Sequence, residues 1–157
     1  MRLLRVFFLS LYPFGDSFMR KSYYHQLPIE PLVVMGYMSS PYAANTLKYA
    51  WRMGLKNRHA IGSDCSKAIF YWQEMAKQYL DGRLVHLLPW QIEGLENCSE
   101  ILRAYGEGLD VPIEKQRVKT LLLIIEDYLL ASTEDFEPEK VIRAIQTFAN
   151  GFAGLWG

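Results

Sequence analysis

The chain has 157 residues, about one domain's worth, and half of them are apolar with 14% aromatic. Lys plus Arg and Asp plus Glu cancel at 17 each. These figures exclude a disordered tail, a collagen-like repeat and a disulfide-dense mini-protein, and the net charge selects neither an acidic nor a basic partner.

At the N-terminus, Arg2 and Arg5 precede an apolar run over residues 6–12, the order found in a secretory leader. Pro13 closes the run early, and no small-x-small cleavage site follows before Met19. The favoured expectation is a short element packed on the body, with Met19 as an alternative start. No later stretch reaches the ~18 apolar residues that span a bilayer, so the chain is expected to be cytoplasmic, without integral membrane insertion. Pro28 and Pro31 push the residues before them toward extended geometry, and Leu32, Val33, Val34 and Met35 follow at once. An extended segment, or a short strand over residues 29–37, is expected there.

Ser39 or Ser40 then caps a helix with Pro41 in its first turn, and Ala43, Leu47, Ala50 and Trp51 fall on one face until Gly54. The turn-rich basic stretch 55–63 separates it from a second helix, capped by Ser63 or Asp64. That helix has a stripe of Cys65, Ile69, Trp72, Ala76 and Tyr79, and Asp81 with Gly82 ends it. Residues 83–90 are short and apolar with Pro89 as a breaker, and pattern does not separate helix from strand there. A third helix from Gln91 to Tyr105 aligns Leu95, Cys98, Leu102 and Tyr105. The fourth opens at Pro112 and is apolar nearly all round, with Val118, Leu121, Leu122, Ile125 and Leu129 on one side and Leu123, Ile124, Tyr128 and Leu130 on the other. Such a helix belongs in the middle of a bundle or shows a second face to a partner, which makes a homodimer one expectation. Pro138 opens a fifth, with Val141, Ile145, Phe148 and Phe152 inward and Lys140, Arg143, Gln146 and Asn150 outward. The expected fold is all-α: a single compact bundle of about five helices over residues 39–157, preceded by a partly extended segment over 1–38.

Catalytic templates find little to hold. A cysteine nucleophile needs a histidine within reach, and Cys65 is flanked in sequence by His59 and His86, yet it sits on an apolar stripe where free cysteines are core residues. Cys98 reads the same way. Neither cysteine belongs to a close pair, and the histidines at 25, 59 and 86 have no ligand spacing, so no metal or cofactor is expected. Gly106 and Gly108 lack the lysine and serine of a phosphate loop.

Two surfaces remain. Arg52, Lys56, Arg58 and His59 precede a helix start, whose unpaired N–H groups favour anions, and form the candidate phosphate-binding loop. Phe152, Leu155 and Trp156, among glycines at the C-terminus, are either strapped onto the core or serve as aromatic anchors for a partner, and Trp90 beside Pro89 and Tyr42 after Pro41 extend the second reading. The expectation is a non-enzymatic protein-interaction module (an adaptor, a chaperone-like accessory factor, or an inhibitor or immunity-type protein) that uses apolar helix faces together with Trp156, Phe152, Leu155 and Trp90. A nucleic-acid accessory protein using the basic loop and a small cysteine-dependent enzyme are the alternatives.

Overall fold

The computed structural model describes residues 26–83, 86–131 and 133–156, the last of these without its side chain. The readings made on the leader, on Met19, on His25 and on the Trp156 side chain lie outside the described residues. The described elements are helical: α1 Pro31–Met35, α2 Pro41–Arg52, a single 3₁₀ turn Arg58–Ala60, α3 Ile61–Leu80, α4 Pro89–Glu107, α5 Pro112–Leu129, α6 Pro138–Gly151 and α7 Ala153–Trp156. The all-α bundle expected from periodicity is the fold observed, with five helices long enough to build it.

Proline starts five of these helices. Its fixed φ suits the first turn, where its missing N–H would find no partner in any case. This corrects two expectations. Pro89 opens α4 and does not break the chain there. Pro31 opens α1, so residues 31–35 form a short helix in place of the extended segment or strand, while Glu30 just before it keeps the extended geometry that a following proline imposes (φ −99°, ψ 149°). The start of α3 also moves. It begins at Ile61, straight out of the 3₁₀ turn, and neither Ser63 nor Asp64 caps it.

α2, α3, α6 and α5 close a ring, each touching the next, with α4 laid on α5 and α1 bridging α2 and α4. The ring encloses Leu47, Trp51, Trp72, Leu121, Ile124, Ile145 and Phe148, all without solvent access. α5 lies against α2, α4 and α6, so its surplus apolar surface is spent inside the chain, with Leu122 and Leu129 half-buried against the core. The middle-of-bundle reading accounts for most of that surface, while Leu130 just past the end of α5 is exposed. On α3 the inward face is Asp64, Ala68, Trp72 and Met75, whereas Cys65, Ile69, Ala76 and Tyr79 are half-buried beside it. Trp72 of the expected stripe is at its centre, and the other inward positions fall one residue earlier than expected.

Polar ties fix the connections. Arg117 is wholly buried on α5 and Nη1 donates to the carbonyls of Trp51 (2.7 Å) and Met53 (2.8 Å), satisfying the end of α2. Its other nitrogens form a fork to Glu114, at 3.0 and 3.3 Å. The Phe148 and Phe152 rings lie 5.0 and 6.0 Å from its guanidinium carbon. Gly54 follows α2 at φ +78°, and a Cβ there would stand 2.2 Å from the Phe152 ring. Glycine is needed twice over: for the left-handed backbone and for the close approach. The linker between α1 and α2 is held from far along the chain. The Tyr128 hydroxyl accepts from the N–H groups of Ser39 (3.0 Å) and Ser40 (3.1 Å), and Gln91 Nε2 donates to Ser39 Oγ at 2.8 Å.

Candidate functional site

The C-terminal aromatics divide. Phe152 is 4% exposed, packed against Phe148 with ring centroids 5.1 Å apart and pressed on Gly54. It straps the C-terminus to the end of α2, as its place on the inward stripe of the fifth helix leads one to expect, and its burial corrects the other assignment, to a partner surface. Leu155 is exposed. The four expected residues are therefore not brought to one surface by any described contact.

Trp90 is different. It stands in the first turn of α4, 55% exposed, with its centroid 6.0 Å from the Tyr37 ring and the planes tilted by 58°. Tyr37 is placed there by Gly94: a Cβ at that position would fall 2.3 Å from the tyrosine ring. The helix start beneath Trp90 is fixed by Gln91, whose Oε1 accepts from the Leu88 N–H at 2.8 Å while its Nε2 reaches Ser39. Leu88 and Ile92, four residues apart at the same helix start, are also exposed. Trp90 was legible as an aromatic beside a proline; Tyr37, the residue that braces it, was not singled out.

The basic loop is only partly as expected. Lys56, Arg58 and His59 are exposed, but Arg52 turns away from them to Asp64, with Nη2 2.9 Å and Nε 3.1 Å from Oδ1. Asp64 is buried in the first turn of α3 and places a negative charge where an anion would otherwise be drawn. Arg52 also faces the Tyr49 ring, its guanidinium carbon 4.7 Å from the centroid. Lys48 from the same helix and Lys67 from α3 reach that ring at 4.8 and 5.4 Å. Tyr71 of α3 lies parallel to Tyr49 within 3°, centroids 6.0 Å apart, and Tyr42 continues the row at 6.2 Å. Phe70 meets Tyr71 edge-on at 5.3 Å and is 54% exposed. Sequence reasoning singled out Arg52 and Tyr42 separately and did not join them into this cluster. The spacing of Tyr42 and Tyr49 puts both on one face of α2, but only the pairing of α2 with α3 brings Lys67, Phe70 and Tyr71 alongside.

Elsewhere the chemistry is quiet. Cys65 is half-buried and burial raises its thiol pKa; Cys98 is buried and pushed up to about 12. Neither His59 nor His86 hydrogen-bonds Cys65, and both are exposed. No group of three or more His, Cys, Asp or Glu among the described residues is placed to hold a metal ion. No described helix is long and apolar enough to cross a membrane. A depression of about 290 Å³ at the end of α3 is lined by Tyr42, Glu74, Lys77, Asp81 and Arg83. Its charges are paired within it, Lys77 with Glu74 at 2.8 Å and Arg83 with Asp81 at 2.7 Å, so none is left to direct a ligand. Comparison with models of known families, with curated proteins and with solved structures finds no match for the chain.

Proposed function

We propose that the protein is a non-enzymatic binding module that engages a protein partner, with Trp90 as the central anchor. The supporting observation is a tryptophan more than half exposed in the first turn of a helix yet braced against Tyr37. A large ring held in one place loses little conformational freedom on binding, which is why tryptophan recurs among interface hot spots. Leu88 and Ile92 widen the apolar area at that helix start. The raised thiol pKa values of both cysteines favour binding over thiol catalysis.

The test is comparative capture. The tagged protein and its Trp90→Ala variant, matched for helical circular dichroism and melting temperature, are exposed to the same native lysate, with Leu80→Ala as an exposed-leucine control at the far end of α3. A protein retained stoichiometrically by the parent and by Leu80→Ala, but weakened at least about thirtyfold by Trp90→Ala, is the expected result, since a hot-spot truncation costs about 2 kcal/mol or more. Equal retention by all three would remove Trp90 from the reading.

A further inference from the structure

Around Tyr49 the α2–α3 face gathers positive charge that its own carboxylates do not neutralise. Arg52 is committed to Asp64. Lys48 and Lys67 approach the same ring from two different helices, and neither has a carboxylate within ion-pair distance among the described residues. Further along α3, Glu74 is taken by Lys77. The electron-rich face of a tyrosine attracts each ammonium, yet the two repel one another, and an anion between them relieves that repulsion. Beside these cations run the tyrosine row and the exposed ring of Phe70.

We infer that this face binds single-stranded nucleic acid, with backbone phosphates at Lys48 and Lys67 and an unpaired base stacked on Phe70. Cations alternating with aromatic rings are what a single strand needs, since its phosphates are evenly charged and every base has a π face. A duplex hides its bases from Phe70, and a phosphorylated peptide would use the lysines without the ring. The inference stands on residues separate from Trp90, so this surface and the protein-binding surface can fail independently.

The experiment is fluorescence anisotropy with labelled DNA and RNA strands of about 16 nucleotides, the upper end of the site sizes such surfaces cover. Binding is expected at low salt. Loss of both charges in Lys48→Gln/Lys67→Gln should make the slope of log affinity against log salt shallower by about 1.4, at ~0.7 per phosphate contact. Phe70→Ala should weaken binding at least about fivefold through lost stacking. Lys140→Gln, an exposed charge on α6, should bind as the parent does. If the double variant does not fold, the exposed Lys67→Gln alone should give about half that change in slope. Absence of binding at low salt, variants indistinguishable from the parent, or Phe70→Ala remaining silent while polyphosphate or a phosphopeptide displaces the strand would each overturn the inference.

Discussion

Arg117 shows what one residue can be asked to do in this core. A guanidinium with no solvent access is costly to bury, and burial pulls its pKa down while the fork to Glu114 pulls it back. The same side chain closes the end of α2 through two carbonyls, so its charge serves as a hydrogen-bond hub between helices far apart in sequence. The cysteines are the opposite case, small apolar residues whose reactivity the fold suppresses. With its thiol pushed up to about 12, Cys98 should react with a disulfide reagent near neutral pH only when the protein opens. Cys65, half-buried, should react more slowly than a free thiol and far faster than Cys98. Timed labelling in buffer and in denaturant checks both, and native labelling of Cys65 as fast as that of a free thiol would favour the cysteine-dependent alternative.

At the scale of elements, the turn between α5 and α6 carries a pH-dependent load. Asp127 is buried at the end of α5 and its Oδ1 accepts the Glu137 N–H at 2.9 Å. Burial raises its carboxyl pKa; the N–H from Glu137 offsets this, the Glu137 charge adds to it and Lys140 lowers it. A carboxyl whose folded pKa lies above its unfolded value binds its proton more tightly in the folded state. Its contribution is full below the unfolded pKa and is lost as pH rises through the folded one. Asp127→Asn keeps an oxygen for Glu137 and cannot ionise. The urea midpoint of the variant minus that of the parent should therefore grow in the variant's favour between about pH 4 and about pH 7. A difference that is flat or shrinks over that range would contradict the sign. The elements themselves were legible to different degrees. The cues in the long helices are local: a proline in the first turn of α2, α4, α5 and α6, a 3.6 period, a polar outer face such as Lys140, Arg143, Gln146 and Asn150 and, on α2, a serine cap at Ser40. α1 was missed because five residues are too few to show a period, and Pro31 speaks for the geometry of Glu30, not for its own successors. The stripe on α3 was misplaced by one residue because Asp64 was counted as a cap, while its carboxylate is in fact buried against Arg52.

Across the whole molecule, what the sequence could not convey is which helix lies beside which. Trp90 was found because its exposure follows from local position, whereas the Tyr49 cluster exists only where α2 meets α3. Phe152 carries two readings in the sequence, inward on the stripe of the fifth helix and outward as an anchor, because nothing local to it announces that Gly54, nearly a hundred residues earlier, leaves room for its ring. Phe152→Ala empties that space and should cost about 3–5 kcal/mol of stability, read from urea unfolding, whereas Leu155→Ala should stay within about 0.5 kcal/mol. Comparable losses from both would mean that the C-terminal segment is docked through Leu155 as well. The contact between Tyr128 and the Ser39–Ser40 N–H pair joins residues 89 and 88 positions apart. During synthesis α2 and α3, neighbours in sequence, meet while the rest is still being made, with Thr46 Oγ1 donating to the Ala68 carbonyl at 2.9 Å. The linker ahead of them has to wait for Tyr128 to leave the ribosome. α1, laid against α2 from the start, gains its second neighbour only once α4, far along the chain, has been made.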